Sequence, residues 1–248
     1  MYRLDVSRKA PRRLISVWTS LWLSLAIPTV ALAQAVSCAV PAAVPRPHAD
    51  TPDQDTPRRV LPIASYTLAL TWGPQYCKRG DPMSFQCGSD NRFGFTLHGL
   101  WPDGAGKDWP QYCRAVPLLS EATIRANLCA TPSAQLLQHE YAKHGSCMTG
   151  SADDYFRTST RLYAALRYPD MNRLSRQSGL TVGRFASAFA RANRGLTPDA
   201  VRVTTTRDGW LDEIWLCLDT RFRTRRCEQG GGQASGLPLK IWRGATRR

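Results

Sequence analysis

A short segment near the middle of the chain carries four side chains that could transfer protons and stabilise negative charge. It reads His139, Glu140, Tyr141, Ala142, Lys143 and His144. Each residue of an α-helix turns about 100°, so a helix would place the two histidines, the glutamate and the lysine on one face, spread over about 140°. The alternative is an ordinary solvated helix face on which the glutamate and the lysine form only a surface ion pair.

A zinc centre is a second alternative for this pair of histidines. The zinc-protease motif needs two histidines four residues apart on one helix, with a glutamate directly after the first. His139 and His144 are five residues apart, and the chain has no C-x-x-C pair and no evident third ligand. We therefore expect no metal and no other cofactor.

Two histidines, a lysine and a carboxylate suit the cleavage of RNA without a metal. RNA carries its own nucleophile, the ribose 2′-hydroxyl, so the reaction needs a base for that proton and an acid for the 5′-oxygen. Histidine, with an ordinary pKa near 6.5, serves in either role at neutral pH. A lysine can stabilise the negative charge of the transition state. Deoxyribose lacks the nucleophile, so DNA should resist cleavage.

A third histidine lies at the end of a predicted strand. Apolar residues alternate over Phe93–Leu97, a period that predicts a strand and places Thr96 and His98 on the face opposite the apolar side chains. Three of the four histidines thus fall in two short segments, each ending at a glycine, Gly99 or Gly145. This clustering favours a catalytic site over a solvated surface.

Two stretches of the chain resemble the active-site signatures of the ribonuclease T2 family. The first is Phe95–Asp103, read FTLHGLWPD, and the second is His139–Cys147, read HEYAKHGSC. They occur in the family's order, about forty residues apart. The segments around Trp72 and Trp215 are also similar to family strands, and the resemblance covers roughly residues 63–242.

The resemblance implies a role for each matched catalytic position. His144 would be the base for the 2′-hydroxyl and His98 the acid for the leaving group. The two would exchange roles when water opens the 2′,3′-cyclic phosphate. His139 would bind phosphate, and Glu140 and Lys143 would support the pentacoordinate transition state.

The resemblance also implies a pocket for the first base. Trp101 and Asp103 match family positions there, where a ring stacks on the base and a carboxylate accepts from a base amine. The chain departs from the family pattern at two positions. Tyr141 replaces a usual tryptophan, and as another aromatic it is expected to keep the packing. Leu136 stands where several members carry an aromatic in the second base pocket, which leaves the preference for the downstream base open.

The eight cysteines predict disulfides, because an even number follows an apparent export signal. Sequence alone does not fix the pairing. The resemblance implies the pairs Cys113–Cys147 and Cys217–Cys227, and closeness in sequence suggests Cys77–Cys87. Cys38 and Cys129 are left without an assigned partner.

The N-terminus has the pattern of a signal peptide over residues 1–33. A basic stretch precedes the apolar run Leu14–Ile27, and Ala31–Ala33 reads as a cleavage site. An uncleaved anchor and a lipoprotein acylated at Cys38 are the alternatives, the latter with a poor acylation motif. We expect a periplasmic or secreted protein with no stable membrane association after cleavage. The formal charge of +14 falls to +10 once five basic residues and one acidic residue are removed, which favours nucleic acid as a partner.

The mature chain is predicted to be one disulfide-linked domain. Residues 34–60 hold five prolines and are expected to be a disordered leader, with His48 on it having no role. Residues 61–248 form the ribonuclease domain, whose irregular order of elements favours an α+β fold with a mostly antiparallel central sheet flanked by helices. Strands are predicted around residues 66–72, 93–97, 214–218 and 237–241, and helices over residues 132–144, 153–167 and 182–194.

These patterns together predict an exported, monomeric endoribonuclease with little base specificity. It would convert RNA first to 2′,3′-cyclic phosphates and then to 3′-phosphates. The rival is a basic exported RNA-binding protein on the same scaffold with no catalytic activity, since a fold does not secure a function.

Overall fold

The computed structural model describes residues 35–88, 90–228 and 231–244. The predicted signal peptide, residues 1–33, lies outside the described residues. Within the described ranges, none of the helices has the length and apolar character needed to cross a bilayer.

Strands and short helices alternate irregularly along the described chain. The strands are β1 (Ala35–Ser37), β2 (Ser65–Trp72), β3 (Arg92–Phe93), β4 (Phe95–Asp103), β5 (Val201–Thr205) and β6 (Leu211–Leu218). The α-helices are α1 (Gly73–Tyr76), α2 (Glu121–Asn127), α3 (Ala134–Glu140), α4 (Ser146–Met148), α5 (Ala152–Ala164), α6 (Met171–Ser175) and α7 (Val182–Ala192). A π-helix, Tyr141–Gly145, joins α3 to α4, and a 3₁₀ turn, Pro198–Ala200, precedes β5.

A four-stranded antiparallel sheet in the order β4–β2–β6–β5 forms the centre of the fold. Strands β1 and β3 pair separately, also antiparallel. The prediction of an α+β fold with a mostly antiparallel sheet flanked by helices is confirmed, as are the strands predicted at residues 66–72 and 214–218. The strand predicted at residues 93–97 is interrupted at Gly94, because Phe93 ends β3 and Phe95 begins β4.

The fourth predicted strand, at residues 237–241, is wrong. Leu239 and Ile241 are buried, but their neighbours make only single bridges, Pro238 with Thr181 and Lys240 with Trp210. The segment therefore crosses between two elements and forms no ladder with either. The fourth strand of the central sheet is β5 instead.

One face of the sheet is apolar and packs against helices α5 and α7. Leu70 and Ile214 are fully buried on it, and α7 contributes Phe185 and Phe189, which are also fully buried. The Tyr163 hydroxyl at the end of α5 donates to the Phe95 carbonyl, 2.7 Å away. Helices predicted at residues 153–167 and 182–194 are thus confirmed as α5 and α7.

A β-bulge at His98 shapes the opposite face of the sheet. Leu70 pairs with Leu97 and Ala69 pairs with Gly99, so His98 is the extra residue on β4. Bulges re-aim side chains, and they shift the alternation that follows. Without the extra residue, Trp101 would share the apolar face with Leu97. The bulge therefore brings His98, in the first half of the first signature, and Trp101, in its second half, to the same side of the sheet.

The second signature lies on a helix that does not end where the sequence predicted. Ser133 caps α3 by accepting from the Leu136 N–H, so Pro132 lies outside the helix. Gly145 was expected to end the helix but has helical backbone angles and continues into α4. A Cβ on Gly145 would lie 2.7 Å from the Tyr141 ring and 2.8 Å from the Tyr155 ring. This glycine is required for close packing and not for termination.

The expectation of a disordered leader is wrong for residues 35–60, which lie along the domain. Beyond β1, the prolines interrupt regular structure, but backbone carbonyl groups and polar side chains of the segment form hydrogen bonds with the domain. The His48 N–H donates to Gln135 (2.9 Å), and Arg125 donates to the carbonyls of Pro41 and Ala42. The prediction of disorder came from the small number of large apolar residues in this segment. Polar contacts with the domain hold the segment in place instead.

Four disulfides connect the described cysteines. Cys113–Cys147, Cys217–Cys227 and Cys77–Cys87 pair as expected. The fourth bond joins Cys38 to Cys129, across 91 residues of sequence, and ties the N-terminal segment to the domain.

Candidate active site

The polar face of the central sheet and the π-helix border a cavity of about 690 Å³. All the residues predicted to act in catalysis or in base binding line it: His98, Trp101, Asp103, His139, Glu140, Lys143 and His144. The π-helix contributes to this convergence, because its wider turn brings residues five apart nearer to one face. The ring centroids of His139 and His144 are 6.4 Å apart.

His98 is held between two carboxylates. Its Nδ1 lies 2.6 Å from Glu213 Oε1, and its Nε2 lies 3.5 Å from Glu140 Oε1. Burial disfavours a charge on the ring, but the hydrogen bond with Glu213 and the negative charges of Glu140 and Glu213 outweigh it. The pKa of His98 is therefore raised above its ordinary value.

Glu213 is itself fixed by three partners. Besides His98, it accepts from Thr71 Oγ1 and from Trp215 Nε1, each at 2.8 Å. Burial opposes its charge, but the hydrogen bond and positive charge of His98 and the other donors lower the pKa of Glu213 overall. The raised pKa of His98 and the lowered pKa of Glu213 favour the charged forms of both partners of this hydrogen bond.

His144 has the opposite environment. Its side chain is only 6% exposed, and its Nδ1 has no hydrogen-bond partner within the described part of the chain. Burial, together with the positive charges of Lys143, His139 and His98, holds the pKa of His144 well below its ordinary value. This histidine is neutral at neutral pH.

Glu140 lines the cavity but is only 2% exposed. Burial raises its pKa, against the opposing charges of His98 and His139 and a hydrogen bond from Trp101. Trp101 Nε1 donates to Oε2 at 2.8 Å, whereas Oε1 forms no hydrogen bond among the described residues. A Cβ on Gly99 would lie 1.8 Å from Oε2, so only glycine at that position lets the carboxylate reach the sheet.

Trp101 and Asp103 lie on the cavity wall, but Trp101 is not an isolated stacking platform. Its ring lies against those of His98, His144 and Trp215, at centroid distances of 5.1, 5.6 and 5.5 Å. Asp103 accepts from Thr67 Oγ1 at 2.9 Å, and burial raises its pKa. Their role in base binding stays a prediction.

Three residues at the site were not singled out from the sequence. Glu213 and Trp215 alternate with the apolar residues of β6, which indicated their face, but the pairing register that brings Glu213 to His98 could not be read. Asp50, whose Oδ2 lies 3.0 Å from His139 Nδ1, is on the segment interpreted as disordered. Tyr141, which replaces the usual tryptophan, keeps an aromatic packed against Tyr155.

The site defines a class of protein: an α+β protein in which two histidines line one cavity and have pKa values shifted in opposite directions. Pairs of titratable groups whose pKa values are driven apart mark acid and base roles. The chain belongs to the Ribonuclease T2 family, whose model matches residues 63–227.

Two bacterial relatives illustrate the sequence similarity. A probable ribonuclease of Haemophilus influenzae is 31% identical over 186 residues, which cover 67% of this chain and 62% of that protein. A ribonuclease of Aeromonas hydrophila is 33% identical over 97 residues, covering 39% of this chain and 43% of that protein. The chain thus spans less than two thirds of the length of these relatives.

Solved structures share the fold at low sequence identity. An RNase-related protein from Calystegia sepium has a TM-score of 0.59 at 24% identity, covering 71% of this chain and 96% of that one. Trichomaglin, described as an S-like ribonuclease, has a TM-score of 0.56 at 20% identity, covering 72% and 98%. RNase NT, solved with 5′-AMP, has a TM-score of 0.54 at 19% identity, covering 73% and 98%.

Proposed function

We propose that this protein is an exported endoribonuclease that cleaves RNA with two histidines and no metal. The observation that carries the proposal is the placement of two histidines in one cavity, with His98 between two carboxylates and His144 buried, its Nδ1 without a hydrogen-bond partner among the described residues. His98 is kept protonated by two carboxylates, and His144 is kept neutral by burial and neighbouring cations. An acid and a base are both in place at neutral pH.

In the first step, neutral His144 removes the proton of the ribose 2′-hydroxyl, and the 2′-oxygen forms a bond to phosphorus. The bond from phosphorus to the 5′-oxygen breaks as His98 donates its proton to that oxygen. The product is a 2′,3′-cyclic phosphate. In the second step His98 removes a proton from water, whose oxygen forms a bond to phosphorus. The bond from phosphorus to the 2′-oxygen breaks as His144 returns its proton to that oxygen, which leaves a 3′-phosphate.

Two further residues act on the phosphate, and a third acts on His98. His139 binds it at the cavity wall, and Lys143 stabilises the extra negative charge of the pentacoordinate transition state. Glu140 keeps His98 charged and fixes its position through the adjacent oxygen at 3.5 Å. Trp101 and Asp103 contact the base, and a largely aromatic contact accounts for low base specificity.

The four disulfides support a periplasmic or secreted location, because such bonds persist in oxidising compartments. The positive formal charge favours association with RNA. We propose that the mature protein acts as a monomer without a cofactor and without stable membrane association.

The test compares wild-type protein with His144→Ala, His98→Ala and His48→Ala on polymeric RNA in EDTA, with products identified by mass spectrometry. Loss of either cavity histidine should slow cleavage by about 10²–10⁴-fold, whereas His48→Ala, outside the cavity, should cleave normally. Wild-type protein should give cyclic phosphates and leave DNA intact. RNA binding without cleavage would support the non-catalytic rival, and activity restored only by added metal would contradict the mechanism.

A further inference from the structure

We propose that Asp50 is a positioning residue for His139, supplied by a segment outside the range that the family model matches. The inference rests on the proposed function, in which His139 binds the phosphate of RNA. The family match begins at residue 63, so Asp50 precedes it by a dozen residues. We call residues 38–59 the strap.

The strap is fastened to the domain on both sides of Asp50. On the N-terminal side, the Cys38–Cys129 disulfide and the bond from the His48 N–H to Gln135 hold it. On the C-terminal side, the N–H and carbonyl of Arg59 exchange hydrogen bonds with Gln111, both at 2.9 Å. The backbone around Asp50 therefore has little freedom to move away.

The attachment at Gln135 has a particular consequence for His139. The two residues are four apart on α3 and lie on one face of the helix. The strap thus runs along the face from which His139 projects, with Asp50 two residues beyond the anchored His48. The contact between His48 and Gln135 therefore sets the position of Asp50 relative to His139, one helical turn further along α3.

Both oxygens of the Asp50 carboxylate have a partner. Oδ2 lies 3.0 Å from His139 Nδ1, and Oδ1 accepts from the Tyr112 hydroxyl at 2.6 Å. The Tyr112 N–H donates to the Lys143 carbonyl at 2.8 Å, so Tyr112 connects the carboxylate to the π-helix. Tyr112 has a φ of 49°, a left-handed conformation that is costly for a bulky residue. The domain holds a strained residue at the point where it meets Asp50.

This arrangement fixes the orientation of the His139 ring. A carboxylate at one ring nitrogen makes that nitrogen a hydrogen-bond donor and directs the other outwards. With Nδ1 bound to Asp50, Nε2 is the nitrogen directed to the cavity that His139 lines. When the ring carries both protons, Nε2 is a donor of fixed orientation, and a phosphate that binds it pays little entropy to order the side chain.

The test compares Asp50→Ala and Asp50→Asn with Asp55→Asn as the matched control. Asp55 lies on the same strap and is exposed, so its substitution removes the same charge from the segment. Steady-state cleavage of a dinucleoside phosphate gives kcat and KM. Binding of uridine 3′-phosphate gives a Kd, and ¹⁵N NMR of the His139 ring reports its hydrogen bond, neither of which requires turnover.

We expect Asp50→Ala to raise both KM and the Kd for uridine 3′-phosphate about 10-fold, with kcat changed less. Asp50→Asn, which keeps an acceptor oxygen, should restore much of the affinity. The His139 Nδ1 signal should shift in Asp50→Ala and not in Asp55→Asn. A Kd within twofold of wild type and an unchanged His139 signal in Asp50→Ala would overturn the inference. Should wild-type protein bind the nucleotide but cleave no RNA, the proposed function fails while the same Kd and NMR comparison still decides the role of Asp50.

Discussion

Replacing Glu213 with glutamine should change the activity in a pH-dependent way. The carboxylate accepts a 2.6 Å hydrogen bond at His98 Nδ1 and favours the protonated ring. Glutamine has nearly the same shape and keeps one acceptor oxygen, but it removes the charge. The pKa of His98 should therefore fall, because the main group favouring its charged form is lost.

The magnitude follows from the hydrogen bond. A hydrogen bond to a charged group contributes about 1.5–3 kcal/mol, which corresponds to about a 10- to 100-fold change in the population of protonated His98. The loss of activity should appear only at pH values at which His98 of the variant is deprotonated. At acidic pH, where the ring is protonated with or without the carboxylate, wild type and Glu213→Gln should differ little. At alkaline pH the variant should be about 10- to 100-fold slower.

The assay is the pH profile of kcat/KM for a dinucleoside phosphate, whose alkaline limb reports the acid of the free enzyme. The limb should move to lower pH in Glu213→Gln and should stay in place in Glu121→Gln, an exposed glutamate on α2. Thermal unfolding of both variants distinguishes a destabilised fold from a folded protein in which His98 is deprotonated at lower pH. A folded Glu213→Gln protein with an unchanged alkaline limb would refute the assigned role of the pair.

Two further substitutions test the architecture. Gly99→Ala should abolish most activity, because its Cβ would lie 1.8 Å from Glu140 Oε2. Gly236→Ala, whose Cβ would meet nothing within 4 Å, should cleave normally, and an active Gly99→Ala protein would contradict the packing argument. Replacing Cys113 and Cys147 together with serine should destabilise the fold by about 2–4 kcal/mol, since the bond closes a loop of 34 residues. Calorimetry measures this loss, and an unchanged Tm would be evidence against a structural role for the bond.

Local patterns in the sequence were enough to predict the elements that have a clear period. Strands β2 and β6 alternate regularly, and helices α5 and α7 carry apolar residues at helical spacing, so each was recognised. The two signatures located His98 and His144, because residue type and order along the chain do not depend on tertiary contacts.

Features that depend on contacts between distant segments could not be predicted. The bulge at His98 exists because Leu70 pairs with Leu97 while Ala69 pairs with Gly99, a register that no local pattern specifies. The same holds for Glu213, whose position opposite Thr71 sets its contact with His98.

The strap illustrates a different limit. Its composition, rich in proline and poor in large apolar residues, is typical of disordered segments. What orders it is a disulfide at Cys38 and a set of polar contacts made by residues elsewhere in the chain, Gln111, Arg125 and Gln135 among them. A segment whose order comes from its partners carries no signal of that order in its own residues, and Asp50 was missed for this reason.

The proposed mechanism requires that His98 be charged and His144 neutral near neutral pH. The chain has only four histidines, so their ring signals can be assigned by NMR with single-substitution variants and followed as the pH is raised. We expect His144 to titrate well below the ordinary pKa of histidine and His98 to titrate above that value. Coincident titration of the two rings near the ordinary value, or titration in the reverse order, would contradict the assignment of acid and base.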